Sequence, residues 1–388
     1  MEVTSKRIPE GWTISELGSL GFFFKGGGIS MKQTSNVGLP AVMYGDLYIK
    51  FHTRFNFADY LIPESVASAS KRAQKYDLLF SASGETVEDI GKCVVYEGTE
   101  DIYIGGDIIG LRPNEQINST FLAFVQNAPD AALQKSRLAQ GHTVVHIYPR
   151  HIKSLTVAHP VDINEQKAIA TTLSEIDDLI SSLAKLIIKK QQIKNATMRQ
   201  LLSGDVRLDG FSKEWEQVPL GSLLTYEQPT KYIVKSTDYA DTGNVPVLTA
   251  GKTHILGYTR EINGIYDNLP CILFDDFTTE GRYIDYRFKV KSSATKLLTL
   301  RSETENLKYV FLQMQMRTHK PQDHKRHWIS EHQHIQIPLP SPEEQEQLVA
   351  VIFEMEKEIK ALQNKRDKLV SLKTAAMHEL LTGNIRLV

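Results

Sequence analysis

Residues Asp162–Leu208 read DINEQKAIATTLSEIDDLISSLAKLIIKKQQIKNATMRQLLSGDVRL, and residues Ser341–Leu387 read SPEEQEQLVAVIFEMEKEIKALQNKRDKLVSLKTAAMHELLTGNIRL. The two stretches align without a gap at a constant offset of 179 positions, which places Glu165-Gln166 on Glu344-Gln345, Ala196 on Ala375 and Met198 on Met377. Their ends match too: Leu201-Leu202, Gly204 and Arg207-Leu208 fall on Leu380-Leu381, Gly383 and Arg386-Leu387. Self-similarity at a fixed spacing marks a duplicated structural unit. The chain is two copies of one unit.

Both copies carry helix signals. Asp162 and Ser341 stand three residues before Glu165 and Glu344, the spacing of a capping box, and Pro342 sits where the first turn tolerates proline. Gly204 and Gly383 follow the last apolar pair, where a left-handed C-cap is expected. Between them the apolar residues step by four and three: Ile169, Leu173, Ile176, Ile180, Leu183 and Ile187, then Leu348, Ile352, Met355, Ile359, Leu362 and Leu369. That is a coiled-coil seam with Glu, Lys, Asp and Gln outside it. Each helix is expected to run about 40 residues, roughly 60 Å at about 1.5 Å per residue. A helix of that length striped on one face needs a partner, and the other copy is the obvious one; two unrelated amphipathic helices on their own domains are the alternative. Lys190 and Arg366 interrupt the seam, marking places where the coil loosens or where partners dock. The spacing does not choose between the two.

Working outward, Trp12 and Trp215 each precede a Leu-Gly-Ser-Leu element by five positions, Leu17–Leu20 and Leu220–Leu223. The repeated unit is therefore a Trp-headed lead-in, a variable insert and a long helix. The inserts, about Phe22 to His159 and Leu224 to Leu339, show no comparable alignment with each other. Both read as β-rich with some helix. Leu78-Leu79-Phe80, Cys93-Val94-Val95-Tyr96 and Ile108-Ile109-Gly110-Leu111 are strand-like in the first, with a helix expected near Ser119 to Gln126. In the second, Val245–Leu248, Ile255–Tyr258, Cys271–Phe274 and Tyr283–Phe288 are short β-branched or aromatic runs split by Gly, Asn and Asp.

Composition sets outer bounds. The chain has 388 residues, 41% hydrophobic and 23% charged, as ordinary globular proteins do. No apolar run reaches the length of a membrane span, and MEVTSKRIPE lacks the apolar core of a signal peptide. Cys93 and Cys271 are too few for a disulfide framework. The expected location is the cytoplasm. The formal net charge of −1 asks for no polyanionic partner on its own, which counts against a chain that grips DNA alone.

Taken together, these features resemble the specificity subunit of a Type I restriction–modification system. The resemblance rests on the Pro-x-x-x-Glu-Gln start of Pro340 to Gln345, the Leu-Leu-x-Gly-x-x-Arg-Leu exit and the Trp-headed restarts. The second insert adds Pro246-Val-Leu-Thr-Ala-Gly-Lys252, Phe274-Asp-Asp-Phe-Thr278 and Asp323-His-Lys-Arg326. It implies an α+β chain: two β-rich target-recognition domains joined by two long antiparallel coiled-coil helices, with a pseudo-two-fold internal repeat. The expected boundaries are 1–159 for the first recognition domain, 160–208 for the central helix, 209–340 for the second domain and 341–388 for the last helix. The resemblance further implies that each domain contacts half of a bipartite site in double-stranded DNA. The helices would set the spacing and dock methyltransferase subunits, two of them expected, with restriction subunits added. S-adenosylmethionine, ATP and Mg²⁺ are expected on those partners and no cofactor on this chain. The family scaffold closes by returning its C-terminus to the N-terminal region; here the chain ends at Val388, so closure is expected to rest on few residues.

Physics supports the assignment less sharply. A stiff helix pair tens of Å long suits a ruler measured against duplex turns of about 34 Å. Candidate DNA contacts in the second insert are Lys252, Thr253, His254, Thr278, Thr279 and Arg282, with Lys289 weaker. The densest basic run is Arg317 to His327, with Lys320, His324, Lys325 and Arg326, which suits phosphate contact with some base-edge reach; a solvated basic loop is the plain alternative. In the first insert, Lys25 with Gly26-Gly27-Gly28 suits a backbone approach to phosphate or an ordinary flexible loop. Lys71-Arg72, Ser83 to Thr86 and Arg137 to His142 are further candidates. Ala250-Gly251-Lys252-Thr253 mimics the end of a P-loop, but Pro246 stands where its first glycine belongs and a strand follows. No HExxH or Cys/His ligand set occurs, and Asp275-Asp276 would point to opposite faces of a strand. The expectation is a non-enzymatic reader of an asymmetric bipartite DNA target and an assembly scaffold. The alternative from another class is a coiled-coil adaptor whose two domains bind proteins or other ligands.

Overall fold

A computed structural model of the chain describes residues 8–141, 143–249, 254–317 and 327–387. The chain divides into two compact units, Met1–Ala184 with Asn364–Val388, and Lys185–Gln363. The repeated stretches are helices, Ile163–Ser203 and Pro342–Leu381. Each unit thus holds the start of one long helix and the end of the other.

Every unit is framed in the same way. In the first, the strand Trp12–Glu16 pairs antiparallel with Thr156–Pro160, from Trp12↔Pro160 to Glu16↔Thr156. In the second, Glu216–Pro219 pairs antiparallel with Gln336–Leu339. The Leu-Gly-Ser-Leu elements then turn the chain tightly, with Leu17 N–H donating to Leu155 O at 2.8 Å and Leu220 N–H to Ile335 O at 3.0 Å. Glycine suits the close approach there, since a β-carbon would stand 3.2 Å from Lys153 O at Gly18 and 3.0 Å from Gln333 O at Gly221.

The Glu-Gln pair at each helix start has a role the spacing did not reveal. Glu165 is buried, and Arg386 of the opposite helix's exit donates to it through Nε at 2.5 Å and Nη2 at 2.7 Å. Glu344 is buried likewise and accepts from Arg207 Nε at 2.7 Å, Arg207 Nη2 at 2.8 Å and Trp215 Nε1 at 3.0 Å. The capping-box expectation holds only in half and only at the second helix, where Ser341 Oγ accepts from Glu344 N–H at 3.4 Å. The returning half is corrected, since both carboxylates face a guanidinium fork. Asp162 caps its own helix by accepting from Asn164 N–H at 2.8 Å. Each exit glycine lies left-handed against the lead-in tryptophan, Gly383 at φ +72° on Trp12 and Gly204 at φ +82° on Trp215. Closure at the chain's end therefore rests on Leu380, Leu381, Gly383 and Arg386, which pack with or bind the Trp12 region and Glu165.

Gln166 and Gln345 are fully buried. Gln166 accepts from Asn118 N–H at 2.7 Å and donates to Gln116 O at 3.1 Å and Pro160 O at 2.8 Å. Gln345 accepts from Asn306 N–H at 2.9 Å and donates to Pro340 O at 3.0 Å and to the Glu305 carboxylate. Asn118 and Asn306 open the insert helices Ser119–Gln126 and Leu307–Arg317. Each glutamine thus fastens a long helix to the helix inside its insert.

The inserts, which do not align in sequence, share one topology. The first has a sheet ordered Gly21–Lys25, Ile108–Pro113, Leu78–Ser81, Cys93–Tyr96, antiparallel throughout, with Arg54–Phe55 added in parallel. The second has Leu224–Glu227, Thr295–Leu300, Cys271–Asp275, Gly281–Ile284, again antiparallel. Beside it, Leu39–Val42 pairs antiparallel with Tyr60–Ile62 and parallel with Ile102–Ile104; Pro246–Leu248 does the same with Ile255–Tyr258 and Lys289–Val290. Single backbone bonds recur as well: Ala82 N–H to Asp107 O and Ile147 N–H to Ala82 O in the first, Asp276 N–H to Ala294 O and His327 N–H to Asp276 O in the second.

The seam residues divide by depth. Ile169 and Leu173 are buried in a core with Leu78, Phe80, Phe121 and Phe124, together with Leu380 and Leu381. Leu348 and Ile352 are buried with Ile272, Phe274, Tyr309 and Leu312, together with Leu201 and Leu202. Farther along, Ile176, Ile180 and Leu183 are half-buried in the first unit; in the second Ile359 is buried and Met355 and Leu362 half-buried. Ion pairs close the helices antiparallel: Lys373 to Asp177 at 2.5 Å in the first unit, Lys190 to Glu358 at 2.8 Å and Lys194 to Glu356 at 3.0 Å in the second. The seam interruption at Lys190 is thus a cross-helix pair, while Arg366 binds its own neighbour Asp367.

Candidate nucleic-acid interface

In the second unit, strands Cys271–Asp275 and Gly281–Ile284 meet in a turn built by two buried aspartates. Asp275 accepts from Phe277 N–H at 2.9 Å and from Thr278 Oγ1 at 2.7 Å, which folds the turn back on itself. Thr279 then takes φ +62°, a left-handed conformation that a threonine adopts only when its surroundings impose it. Asp276 accepts from Trp328 N–H at 2.8 Å and pairs with Lys296 at 3.2 Å, both side chains nearly solvent-free. The metal-carboxylate idea for these two residues gives way to this structural role. Trp328 is where the chain rejoins the core after the basic run, so the turn and the end of that run are fixed to each other.

Beside the turn opens a cleft of about 640 Å³, lined by His254, Thr278, Thr279, Arg282, Tyr283 and Lys308, with Glu280, Gly281, Phe311 and Gln315 completing its wall. Lys308 Nζ stands 4.5 Å over the Tyr283 ring. His254 Nε2 is 2.9 Å from Tyr286 Oη, and burial together with Arg282 pushes its pKa below the ordinary histidine value. Both effects favour the neutral imidazole, and the charged groups of the cleft are Arg282 and Lys308 beside Glu280.

Four expected contacts, His254, Thr278, Thr279 and Arg282, are brought together here. Thr279 is buried and acts as the hinge of the turn, whereas Thr278 is exposed. Lys252, Thr253, Lys320, His324, Lys325, Arg326 and His142 lie outside the described residues. Lys289 is corrected: it is buried, donating to Asn263 O at 2.7 Å and pairing with Glu261 at 3.1 Å. Both flanks of the basic run are held in place too, Arg317 by Gln313 and His327 by Glu331 at 3.1 Å. Lys308 and Tyr283 were not singled out from sequence. Only the fold sets a lysine in the first turn of the insert helix beside that strand.

In the first unit the candidates are dispersed. Lys25 ends an edge strand, exposed; Gly26 is needed because a β-carbon would fall 2.1 Å from Gly105 O, so at least part of the triple glycine is packing. Arg72 pairs with Asp101 at 3.1 Å on the other sheet. Ser83 is buried with its Oγ 2.8 Å from His146 Nδ1, so it supports a neighbour rather than offering its hydroxyl to a partner.

Residues 9–195 and 212–370 match the Type I restriction modification DNA specificity domain, one match to each copy of the repeat. The chain belongs to that family. Among its relatives, the Type I restriction enzyme EcoR124I/EcoR124II specificity subunit of Escherichia coli is 51% identical over 130 residues, 32% of either chain. The putative type I restriction enzyme MjaX specificity subunit of Methanocaldococcus jannaschii is 25% identical over 284 residues, 69% of this chain and 65% of that protein. The chain thus spans about a third of the first relative's length and just under two thirds of the second's. The crystal structure of a Type I restriction–modification S subunit from M. genitalium shares the fold, with a TM-score of 0.66, 15% identity and 98% of each chain covered. The HsdS subunit from Thermoanaerobacter tengcongensis gives 0.50 at 15% identity, over 99% of this chain and all of that one.

Among the described residues no three His, Cys, Asp or Glu side chains gather as metal ligands. No helix among them is long and apolar enough to cross a membrane.

Proposed function

We propose that this chain is the DNA-reading subunit of a Type I restriction–modification complex. Residues 1–159 and 209–340 act as recognition domains for the two halves of an asymmetric bipartite site, and 160–208 and 341–388 form the helices that set the spacing. The cleft of His254, Thr278, Arg282 and Lys308 reads the second half-site, with the basic run 317–327 expected from the sequence to add phosphate contacts. Two methyltransferase subunits dock on the helices and bring S-adenosylmethionine; restriction subunits bring ATP and Mg²⁺. The chain itself catalyses nothing and works in the cytoplasm. The observation that carries this reading is the repeat: one frame, used twice, holding inserts of one topology whose exposed residues differ. A net charge of −1 fits a reader that borrows part of its phosphate grip from partners.

The test is selection from randomised duplexes by the complex reconstituted with methyltransferase subunits. An asymmetric two-part motif is expected, with weak, salt-sensitive binding by the chain alone. Enrichment of no two-part motif refutes the proposal.

A further inference from the structure

The shared topology lets the second insert's cleft be carried onto the first, where sequence gave only scattered candidates. The turn 275–280 joins strands Cys271–Asp275 and Gly281–Ile284; the strands in the same sheet positions of the first insert, Leu78–Ser81 and Cys93–Tyr96, are joined by residues 81–92. Phe80↔Cys93 closes that hairpin as Phe274↔Gly281 closes the other. The points where the chain rejoins the hairpin match too. In the second insert it rejoins at His327, after the insert helix that ends at Arg317, and His327 N–H donates to Asp276 O. In the first it rejoins at Ile147, after a further helix, Pro129–Leu138, that follows the insert helix, and Ile147 N–H donates to Ala82 O. In the first insert the chain before Ile147 is sewn to the hairpin, with Val145↔Gly84 and His146↔Ser83 paired and Gln140 and His146 exchanging both backbone bonds.

We infer that the first insert reads its half-site with the tip formed by residues 84–89 and the adjoining residues 143–146, and that it does so with acceptor and apolar groups. This rests on the DNA-reading role proposed above. Glu85, Thr86, Val87 and Glu88 are exposed on the tip, and Thr143 and Val144 are exposed on the loop sewn to it. Asp89 is tied to Thr86 at 3.2 Å, and Lys92, the nearest lysine in sequence, is turned inward to donate to Phe51 O at 2.6 Å. Carboxylates cannot hold phosphate; in a major groove they accept from the amino group of cytosine or adenine, and valine methyls meet the thymine methyl. The second cleft adds Arg282 and Lys308, beside Glu280, and these two cations suit the guanine acceptors. The first tip presents no such cation among its exposed residues Glu85 to Asp89.

The experiment repeats the duplex selection with the reconstituted complex carrying Glu85→Gln with Glu88→Gln, and separately Val87→Ala with Val144→Ala. An Arg282→Ala complex is run beside them. All four altered residues of the first insert are exposed, so the urea midpoint should stay that of the parent. The expected result is that discrimination for a cytosine, adenine or thymine falls roughly tenfold at positions of one half-site, while Arg282→Ala relaxes only the other. A two-part motif unchanged by both first-insert variants overturns the inference while leaving the DNA-reading role intact. Relaxation confined to guanine positions overturns the acceptor chemistry. Absence of any two-part motif from the parent complex removes the role itself.

Discussion

Arg207→Ala tests the reading of how each long helix is locked at its start. The Glu344 side chain is 2% exposed beside Arg207, and the substitution leaves it the Trp215 indole N–H at 3.0 Å as its remaining side-chain donor. Removing one partner of a buried pair costs about 3–5 kcal/mol, because the other charge stays desolvated and uncompensated. The surviving indole donor places the expected loss at the lower end, about 3 kcal/mol, or roughly a hundredfold in the opening equilibrium. Lys190→Ala is the contrast: its pair with Glu358 is 33% and 50% exposed, so about 1 kcal/mol or less is expected. Because the chain has two units, a single unfolding free energy is poorly defined, and hydrogen exchange read peptide by peptide is the suitable assay. Protection should fall roughly a hundredfold in the peptides around Pro342–Ile352 and Leu201–Arg207, and stay unchanged around Leu78–Tyr96. Arg207→Ala with Glu344→Gln should recover much of it, because the buried site is then neutral. Arg207→Lys should not restore it, since a point charge cannot make the fork or stack on Trp215. If Arg207→Ala loses no more protection than Lys190→Ala, the lock is not where the structure puts it.

Two further outcomes follow from the interior. Burial pulls the Lys135 amine down to about 8, where it donates to Gly91 O at 2.7 Å and Gln126 O at 2.8 Å. An unfolded lysine titrates near about 10.4, so between these values the unfolded chain holds a proton that the folded chain lacks, and stability rises with pH across that window by an amount on the order of 3 kcal/mol. Below pH 8 the full penalty of a buried cation applies. Lys135→Met should flatten that rise, as urea midpoints at pH 7.5, 9 and 10.5 (about the span of the two values) would register; equal slopes for both proteins refute the burial argument. Gly383→Ala places a β-carbon 2.7 Å from Pro9 at φ +72°, whereas Gly27→Ala points one into open space. The first should cost more than about 1 kcal/mol and the second within about 0.5 kcal/mol of nothing, by melting temperature; equal effects sink the claim that the exit glycine is packed against the lead-in.

What was legible in the sequence was whatever repeats or alternates. The long helices, the insert helix Ser119–Gln126 and strands such as Cys93–Tyr96 fall where the patterns put them. The common topology of the inserts was not legible, because strand order is a matter of backbone pairing between distant segments and leaves no fixed offset in side chains. Glu165 was misread for a related reason. A capping box is local and visible in spacing, while its actual partner, Arg386, is 221 positions away. The site suffered most: Lys308 and Tyr283 have no motif of their own, and Ser83 and Lys289 looked available only because burial cannot be read from residue type.

The division between a repeated frame and divergent inserts has a physical basis in what the frame touches. Gln166 holds the first insert through a backbone N–H and backbone carbonyls only, and Gln345 holds the second through Asn306 N–H and Pro340 O, with one side chain, Glu305, added. Leu17 and Leu220 dock on backbone carbonyls of the returning segments, and the tight approaches at Gly18 and Gly221 are again to backbone oxygens. Groups that every residue carries make these contacts, so an insert keeps its seat whatever side chains it presents to solvent. The side-chain chemistry that must be kept in the frame is the Glu–Arg forks, the Trp–Gly contacts and the buried leucines of the helix exits. In the inserts it is only the buried apolar face that packs on the helices, Phe121 and Phe124 in the first and Tyr309 and Leu312 in the second. On the proposed role, a change of target would alter exposed residues such as those at 85–89 and Thr278, which lie outside the backbone contacts that seat each insert.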